Sequence, residues 1–210
     1  MIEIELKYKI ASREQMDMIW SDDLFESIEE KDSRGRLSIK AAYFDTEDML
    51  LAQNRVAFRI RKEGDRVVGT LKCKDRAIDQ EGLYMREEIN VPVANDACFL
   101  APDLTIFKQS EEGREVLELV GAQRLENKFE TVFTRRKFRI DTGDSIMEIS
   151  LDDGEIIADD AHAPISELEI ELYSGTKEDL FDIGERVVRK FGLEPEARSK
   201  YARGLALLER

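Results

Sequence analysis

Met1-Ile2-Glu3-Ile4-Glu5-Leu6-Lys7 is the stretch that decides how this chain is read. Ile2, Ile4 and Leu6 alternate with Glu3, Glu5 and Lys7. A period of two is that of a β-strand, which puts the apolar residues on one face and the ionisable ones on the other. One such strand is ordinary, because the polar face of an antiparallel sheet usually meets water. The pattern gains weight because it recurs along the chain with the charges sorted by sign.

Arg59 and Arg61 share one strand face, and Lys72 and Lys74 the next. Arg86 and Glu88 follow, then Arg135, Lys137 and Arg139, then Glu148, Ser150 and Asp152, and then Glu167, Glu169 and Glu171. The opposite faces carry Phe58 and Ile60, Leu71 and Cys73, Ile149 and Leu151, and Leu168, Ile170 and Leu172. A solvated face normally mixes Ser, Thr, Gln and Lys. This one is almost purely charged. A closed barrel explains it, because one face of every strand then points inward. With the charged face inside, the barrel is a polar tunnel and its apolar outer face packs under helices. Cations gathered in a cavity need anions. Arg and Lys rows facing carboxylate rows suggest a polyphosphate on one side and a divalent ion on the other.

The elements fit that plan. Ser12 is an expected N-cap for a helix over about 12–25. Strands are expected at 36–46, 55–62, 66–74, 83–91 (stopping at Pro92), 128–140, 145–152 and 165–173. Glu63-Gly64-Asp65 joins a hairpin, and Asp141-Thr142-Gly143-Asp144 is a second turn. Helical spacing marks 95–121, 176–191 (ended by Gly192) and 196–209. No linker divides the chain. The expected architecture is one α+β domain over residues 1–210, built on a large antiparallel sheet or barrel.

Composition narrows the chemistry. Of 210 residues 37% are charged and the net charge is −14, which argues against nucleic-acid or anionic-membrane partners. Cys73 and Cys98 lack metal-site spacing and suit a reducing compartment. No basic n-region with an apolar h-region opens the chain, and no apolar run approaches a membrane span, so a cytoplasmic location is expected. The single histidine, His162, argues against His-based nucleophilic or zinc chemistry, and its acidic neighbours place it in a loop. Catalysis must come from carboxylates, Lys and Arg.

Taken in order, Glu3-x-Glu5-x-Lys7, Tyr43-Phe44-Asp45-Thr46, Arg59-x-Arg61, Thr70-Leu71-Lys72, Arg86-x-Glu88, Leu151-Asp152, Glu167-x-Glu169 and Ser199-Lys200 resemble the signature of the CYTH superfamily, the triphosphate tunnel metalloenzymes. The resemblance covers the whole chain. It implies an eight-stranded antiparallel β-barrel forming a charged tunnel, with helices outside, and action on a triphosphate with Mg²⁺ or Mn²⁺. It also implies metal or catalytic roles for Glu3, Glu5, Asp152, Glu167 and Glu169. Lys7, Arg59, Arg61, Lys72, Arg86, Arg135, Lys137 and Lys200 are implied to hold phosphates, with Lys7 also in the catalytic set. The run Glu167-Glu169-Glu171 offers two registers for the family's Glu-x-Glu pair, and Glu171 is kept as a metal candidate with Glu88. Lys74, Lys40 and Glu148 are further tunnel candidates.

Hydrolysis of inorganic tripolyphosphate to pyrophosphate and phosphate is the leading expectation. Family branches that cyclise ATP (class IV adenylate cyclases) or hydrolyse thiamine triphosphate need a shelf for an organic group. No aromatic residue is expected among the inward positions between the two mouths, the best candidate being Tyr84, in phase with Arg86, and this favours a substrate with no organic group. A polyphosphate-binding module without catalysis would not keep the acidic set. The partner expected is a small-molecule triphosphate, with no nucleic acid or membrane. Helix 176–191 is read as a barrel cover or as the face of a homodimer.

Overall fold

The computed structural model describes residues 2–73, 83–93 and 99–209, and only the backbone at Arg86; Lys74 and Cys98 lie outside the described residues. Strands β1 (Ile2–Lys9), β2 (Gly35–Asp45), β3 (Ala57–Glu63), β4 (Arg66–Cys73), β5 (Leu83–Val93), β6 (Glu126–Asp141), β7 (Ile146–Ala158) and β8 (Ala161–Ser174) hydrogen-bond in the order 5-4-3-2-6-7-8-1. β1 also pairs with β5, from Ile2↔Glu87 to Leu6↔Leu83, and this closes the ring. All pairs are antiparallel. A short β9 (Glu194–Pro195) adds beside the end of β1. Closure leaves none of the eight strands with a free edge along its whole length.

Helices cover the apolar outer faces. α1 (Arg13–Ser21) and α4 (Lys177–Phe191) bury Met16, Ile19, Leu180, Ile183 and Val187 against Leu6, Ile149, Leu151, Leu168 and Ile170. Each such aliphatic side chain contributes about 1.5–3 kcal/mol when fully buried. α2 (Leu50–Gln53) and α3 (Glu111–Val120) do the same for β2 to β5, where Leu51, Val116 and Val120 meet Phe44, Phe58, Ile60 and Leu71. Cys73 packs in this second cluster, turned away from the interior as alternation requires. No helix among the described residues is long and apolar enough to cross a membrane.

α5 (Lys200–Leu208) is placed differently. Ile39 and Tyr43 of β2, Phe129 and Phe133 of β6, Ile156 of β7 and Ile165 of β8 share strand faces with the interior charges, yet they form an apolar cluster with Leu207, Tyr201 and Leu205. α5 therefore seals one end of the barrel interior. Gly204 permits its close approach, because a Cβ there would lie 2.2 Å from Phe129 Cε2.

Several boundaries differ from expectation. Ser12 does cap α1, accepting from Gln15 N–H, but the α-helix ends at Ser21 and a 3₁₀ turn covers 23–25. β5 runs through Pro92, which sits opposite Val68 and has no N–H to contribute to the ladder. β7 and β8 form one long hairpin turning at Asp159-Asp160, so His162 stands on a strand, exposed, with Nδ1 2.9 Å from Glu155 Oε2. The acidic residues around it suggested a loop; they form its turn. In the 95–121 stretch the described residues give a 3₁₀ turn at Leu104–Phe107 and then α3. The final helix starts at Lys200, behind the Ser199 cap.

Candidate active site

The interior holds a cavity of about 310 Å³. Strand register arranges its walls. On the β3–β4 hairpin the inward residues form successive rungs: Ala57↔Lys72, Arg59↔Thr70, Arg61↔Val68 and Glu63↔Arg66. This is the cationic wall. Opposite it, the rows Glu148↔Glu171 and Glu171↔Glu5 set three carboxylates side by side on β7, β8 and β1. Facing residues on neighbouring strands stand about 5 Å apart at Cβ, where like charges repel. One row further along the same strands lie Ser150, Glu169 and Lys7, and beyond them Asp152 and Glu167.

The two carboxylate groups differ in their charge balance. Asp152, Glu167 and Glu169 are the one set of three among the described residues with acidic oxygens within 4.8 Å of each other. The Lys200 ammonium already sits among them, 2.7 Å from Asp152 Oδ2, 2.9 Å from Glu169 Oε1 and in contact with Glu167. Arg135 grips Asp152 with two hydrogen bonds of 2.7 Å and reaches Glu169 as well. Arg203 binds Glu167, and Lys7 lies 2.9 Å from Glu169. Four cations thus serve three anions. Burial alone would raise the Glu169 carboxyl, but Lys200, Lys7 and Arg135 hold it well below the usual range. The same carboxylates keep Lys7 protonated against its own burial, with Glu169 the strongest, then Glu5 and Glu167.

The other row is short of cations. Lys137 holds Glu148 at 2.7 Å, and Lys7 touches Glu5 at 3.3 Å. Lys72 is shared by Glu3 at 2.7 Å and Glu88 at 2.6 Å. Glu171 makes no ion pair among the described residues. Burial, then the charges of Glu3, Glu5, Glu169 and Glu148, push its carboxyl up to about 8. Burial raises Glu5 to about 6 despite Lys7. A carboxylate row in which Glu5 and Glu171 hold their protons this tightly is a place for a hard cation with oxygen ligands.

The cationic wall has spare donors. Arg59 and Arg61 are half-buried, and the Nε of each is buried without a hydrogen-bond partner. Arg61 pairs with Glu63 at 2.7 Å, but burial and the nearby Arg59 lower its pKa. Arg59 lies 3.8 Å from Glu88 and donates a long 3.4 Å bond to the Tyr43 hydroxyl. Buried guanidinium donors left open in a cavity match an anion with several oxygens.

A CYTH-domain family model matches residues 1–205. The chain belongs to the CYTH-domain family. It is 30% identical over 205 residues to an inorganic triphosphatase of Haemophilus influenzae, an alignment that takes in 98% of this chain and 54% of that protein. The chain therefore spans about half the length of this curated relative. A Hippeastrum protein, an adenylyl cyclase candidate reported to have a dominant triphosphatase activity, aligns at TM-score 0.69 and 20% identity, over 97% of this chain and 95% of its own. A Mimivirus capping-enzyme triphosphatase aligns at TM-score 0.51 and 13% identity, over 90% and 89%. At such identities the likeness is one of fold.

Within this CYTH barrel, Glu3, Glu5, Lys7, Arg59, Arg61, Lys72, Glu88, Arg135, Lys137, Glu169, Glu171 and Lys200 all line the cavity. Asp152 and Glu167 stand behind it, fully buried and ion-paired. Lys40 is a correction: it is in phase with Ala42 and Phe44, which pack under α2 and α3, and it points outward to Glu130 at 2.8 Å. The aromatic residues are another. Tyr84 lies with its ring under Lys7 Nζ and donates its hydroxyl to the Glu196 carbonyl, while Tyr43, Phe133, Tyr173 and Tyr201 all line the cavity. Phe133 is in phase with Arg135 and Tyr173 with Glu171, so alternation alone could have found them. Arg66, in phase with Lys72, was findable in the same way.

Proposed function

We propose that this chain hydrolyses a linear triphosphate, inorganic tripolyphosphate foremost, with a divalent ion held by the carboxylate row. The observation that carries the reading is the facing of two walls. One has Arg59 and Arg61, each with a buried, unpartnered Nε donor, and the other has Glu5, Glu171 and Glu148 in adjacent registers with Glu171 lacking a cation. Glu5 and Glu171, with Glu3 beside them, are the residues that would hold Mg²⁺ or Mn²⁺. The Asp152–Glu167–Glu169 set is less suited, because Lys200 fills it. When bound, the ion supplies charge neutralisation on phosphate oxygens and lowers the pKa of its water.

The chain's own residues do the remaining work. Arg59, Arg61 and Lys72 hold the substrate extended along the hairpin. Lys7 and Arg135, fixed by Glu169 and Asp152, present positive charge from β1 and β6, on either flank of the hairpin. Water attacks the terminal phosphorus, the bridging P–O bond breaks, and pyrophosphate leaves with the electron pair. The proton of the water passes to a carboxylate of the row. Phosphoryl transfer of this kind depends mainly on positioning and electrostatics, so it requires no His, Ser or Cys.

The aromatic lining favours a second reading, an organic triphosphate. Most of it is already engaged, however. Tyr43 stacks on Phe129 at 4.6 Å and packs on Tyr201 at 5.6 Å, inside the α5 cluster. Among the described aromatic residues of the lining, Tyr173 is the one that is half exposed. The Haemophilus relative's designation as an inorganic triphosphatase also supports the first reading. The test is phosphate release from tripolyphosphate, thiamine triphosphate, ATP, GTP and pyrophosphate with Mg²⁺ or Mn²⁺. Tripolyphosphate should be cleaved fastest. Arg59→Ala and Arg61→Ala should slow every triphosphate alike without unfolding the chain. Rapid formation of cyclic AMP from ATP would overturn the assignment.

A further inference from the structure

Lys72 faces the cavity with two carboxylates on its ammonium. Glu3 of β1 accepts a hydrogen bond from Nζ at 2.7 Å, and Glu88 Oε2 of β5 lies 2.6 Å from it. An ammonium carries three N–H donors. Lys72 has no third partner among the described residues, so one donor remains for a ligand, and its direction depends on what holds the other two. Glu3 stands beside the residues that would take a divalent ion. An ion that draws Glu3 away leaves Glu88, the direct cross-strand neighbour of Lys72, as the anchor of the ammonium. Glu88 is itself held. Asn90, one inward position further along β5, donates Nδ2 to Glu88 Oε1 at 2.7 Å. Thr70, fully buried on β4 and directly opposite Asn90, donates its hydroxyl to Asn90 Oδ1 at 2.7 Å. The two bonds fix the amide: flipped, it would turn Oδ1 onto the Glu88 carboxylate. Burial alone would raise the Glu88 carboxyl, but Lys72 and Arg59, with hydrogen bonds from Lys72 and Asn90, hold it well below the usual range. Asn90 is exposed and lines the cavity, so its amide serves neighbours in the site and fills no core.

We propose that Asn90 is a positioning residue, which acts through Glu88 to aim the Lys72 ammonium at the substrate. This rests on the triphosphate reading and deepens it. The relay runs from the buried Thr70 hydroxyl through the Asn90 amide and the Glu88 carboxylate to Lys72 Nζ. Glu88 then belongs to the cationic wall, as the counter-anion that keeps Lys72 in place when a phosphate or an ion competes for its partners. Without the Asn90 amide, Glu88 Oε1 loses its donor and the carboxylate is free to turn, and Lys72 turns with it.

Calorimetric titration with tripolyphosphate in chelator, which reads binding without turnover, tests this on the wild type, Asn90→Ala, Asn90→Asp, Glu88→Ala and the Glu88→Ala/Asn90→Ala double variant. Asn90→Ala should weaken binding about fivefold to tenfold, the range of a hydrogen bond to a charged group at a partly exposed site. In the Glu88→Ala background the same change should cost about twofold or less, because a residue that acts only through Glu88 has nothing left to act on. Asn90→Asp keeps the shape of the side chain but replaces the donor by a second carboxylate against Glu88, so at neutral pH it should weaken binding more than Asn90→Ala does. A merely structural role predicts the reverse, with the near-isosteric Asp the milder change. Urea midpoints of the Asn90 variants should stay close to that of the wild type, as for an exposed residue. No loss in Asn90→Ala, an equal loss with and without Glu88, or an Asp milder than Ala overturns the relay and leaves the triphosphate reading standing. Failure of the wild type to bind tripolyphosphate in chelator also overturns the relay, and failure to cleave it with Mg²⁺ as well overturns the triphosphate reading.

Discussion

Glu171→Gln should stabilise the metal-free protein, and by more as the pH rises. The folded state holds the Glu171 carboxyl at about 8, against an ordinary 4.5. Between those values the folded chain keeps a proton that the unfolded chain releases. Stability therefore falls with rising pH through that window, the reverse of the usual carboxylate, which is held low by a cation. At about 1.4 kcal/mol per pH unit the whole window is an upper limit of about 5 kcal/mol. Water in the cavity screens part of this, leaving about 2 kcal/mol as the expected gain of Gln over Glu at pH 8. At pH 5 the wild-type carboxyl is already neutral in the folded state, and the two proteins should differ little. Urea titrations in chelator at pH 5, 6, 7 and 8 read the difference directly. A gap that is constant with pH, or that favours the wild type at pH 8, would refute the argument that Glu171 is a half-buried carboxylate lacking a cation. Adding Mg²⁺ should reverse the order at pH 8, because the charged row then has its counter-ion.

Turnover should vanish in excess chelator, and Glu5→Gln should lower it by about a hundredfold or more with the melting temperature nearly kept; full activity in chelator would remove the ion from the reaction. Gly204→Ala places a methyl carbon 2.2 Å from the Phe129 ring, so it should lift α5 and destabilise the fold by about 1–3 kcal/mol in chemical denaturation. An unchanged midpoint would show that α5 does not seal the barrel tightly.

The barrel was legible because its signal is repeated. Six strands alternate with the same inside-out chemistry, and a mistake at one cannot hide the rest. β2 shows what alternation cannot decide. Lys40 is one of its few charged residues, and matching it to the other charged faces put it inside. Pairing of Tyr43 with Arg59 and Phe129 fixes the opposite phase, and that register depends on partners 16 and 86 residues away in sequence. The site was read as one acidic cluster facing one basic cluster. The split into a cation-saturated set around Lys200 and a cation-poor row around Glu171 follows from where α5 docks and from the β7–β8–β1 register. Neither leaves a local trace. Arg66 lay in plain view, in phase with Lys72, but belonged to no motif.

The closing of the ring by β1 has a consequence for how the molecule is made. β1 leaves the ribosome before the other strands of the barrel, and its partners are β5 on one side and β8 on the other, more than 150 residues later. Until β8 exists, β1 can be paired on one edge only. Contacts this far apart in sequence form slowly, since a long loop must close before they reward the chain. Glu5 faces Glu171 only when this last seam zips shut. Chains with the seam open would have two unpaired sheet edges and no carboxylate row, and would be both inactive and prone to edge-to-edge association. Acquisition of activity during refolding thus reports the final step of assembly, after most of the outer core has formed.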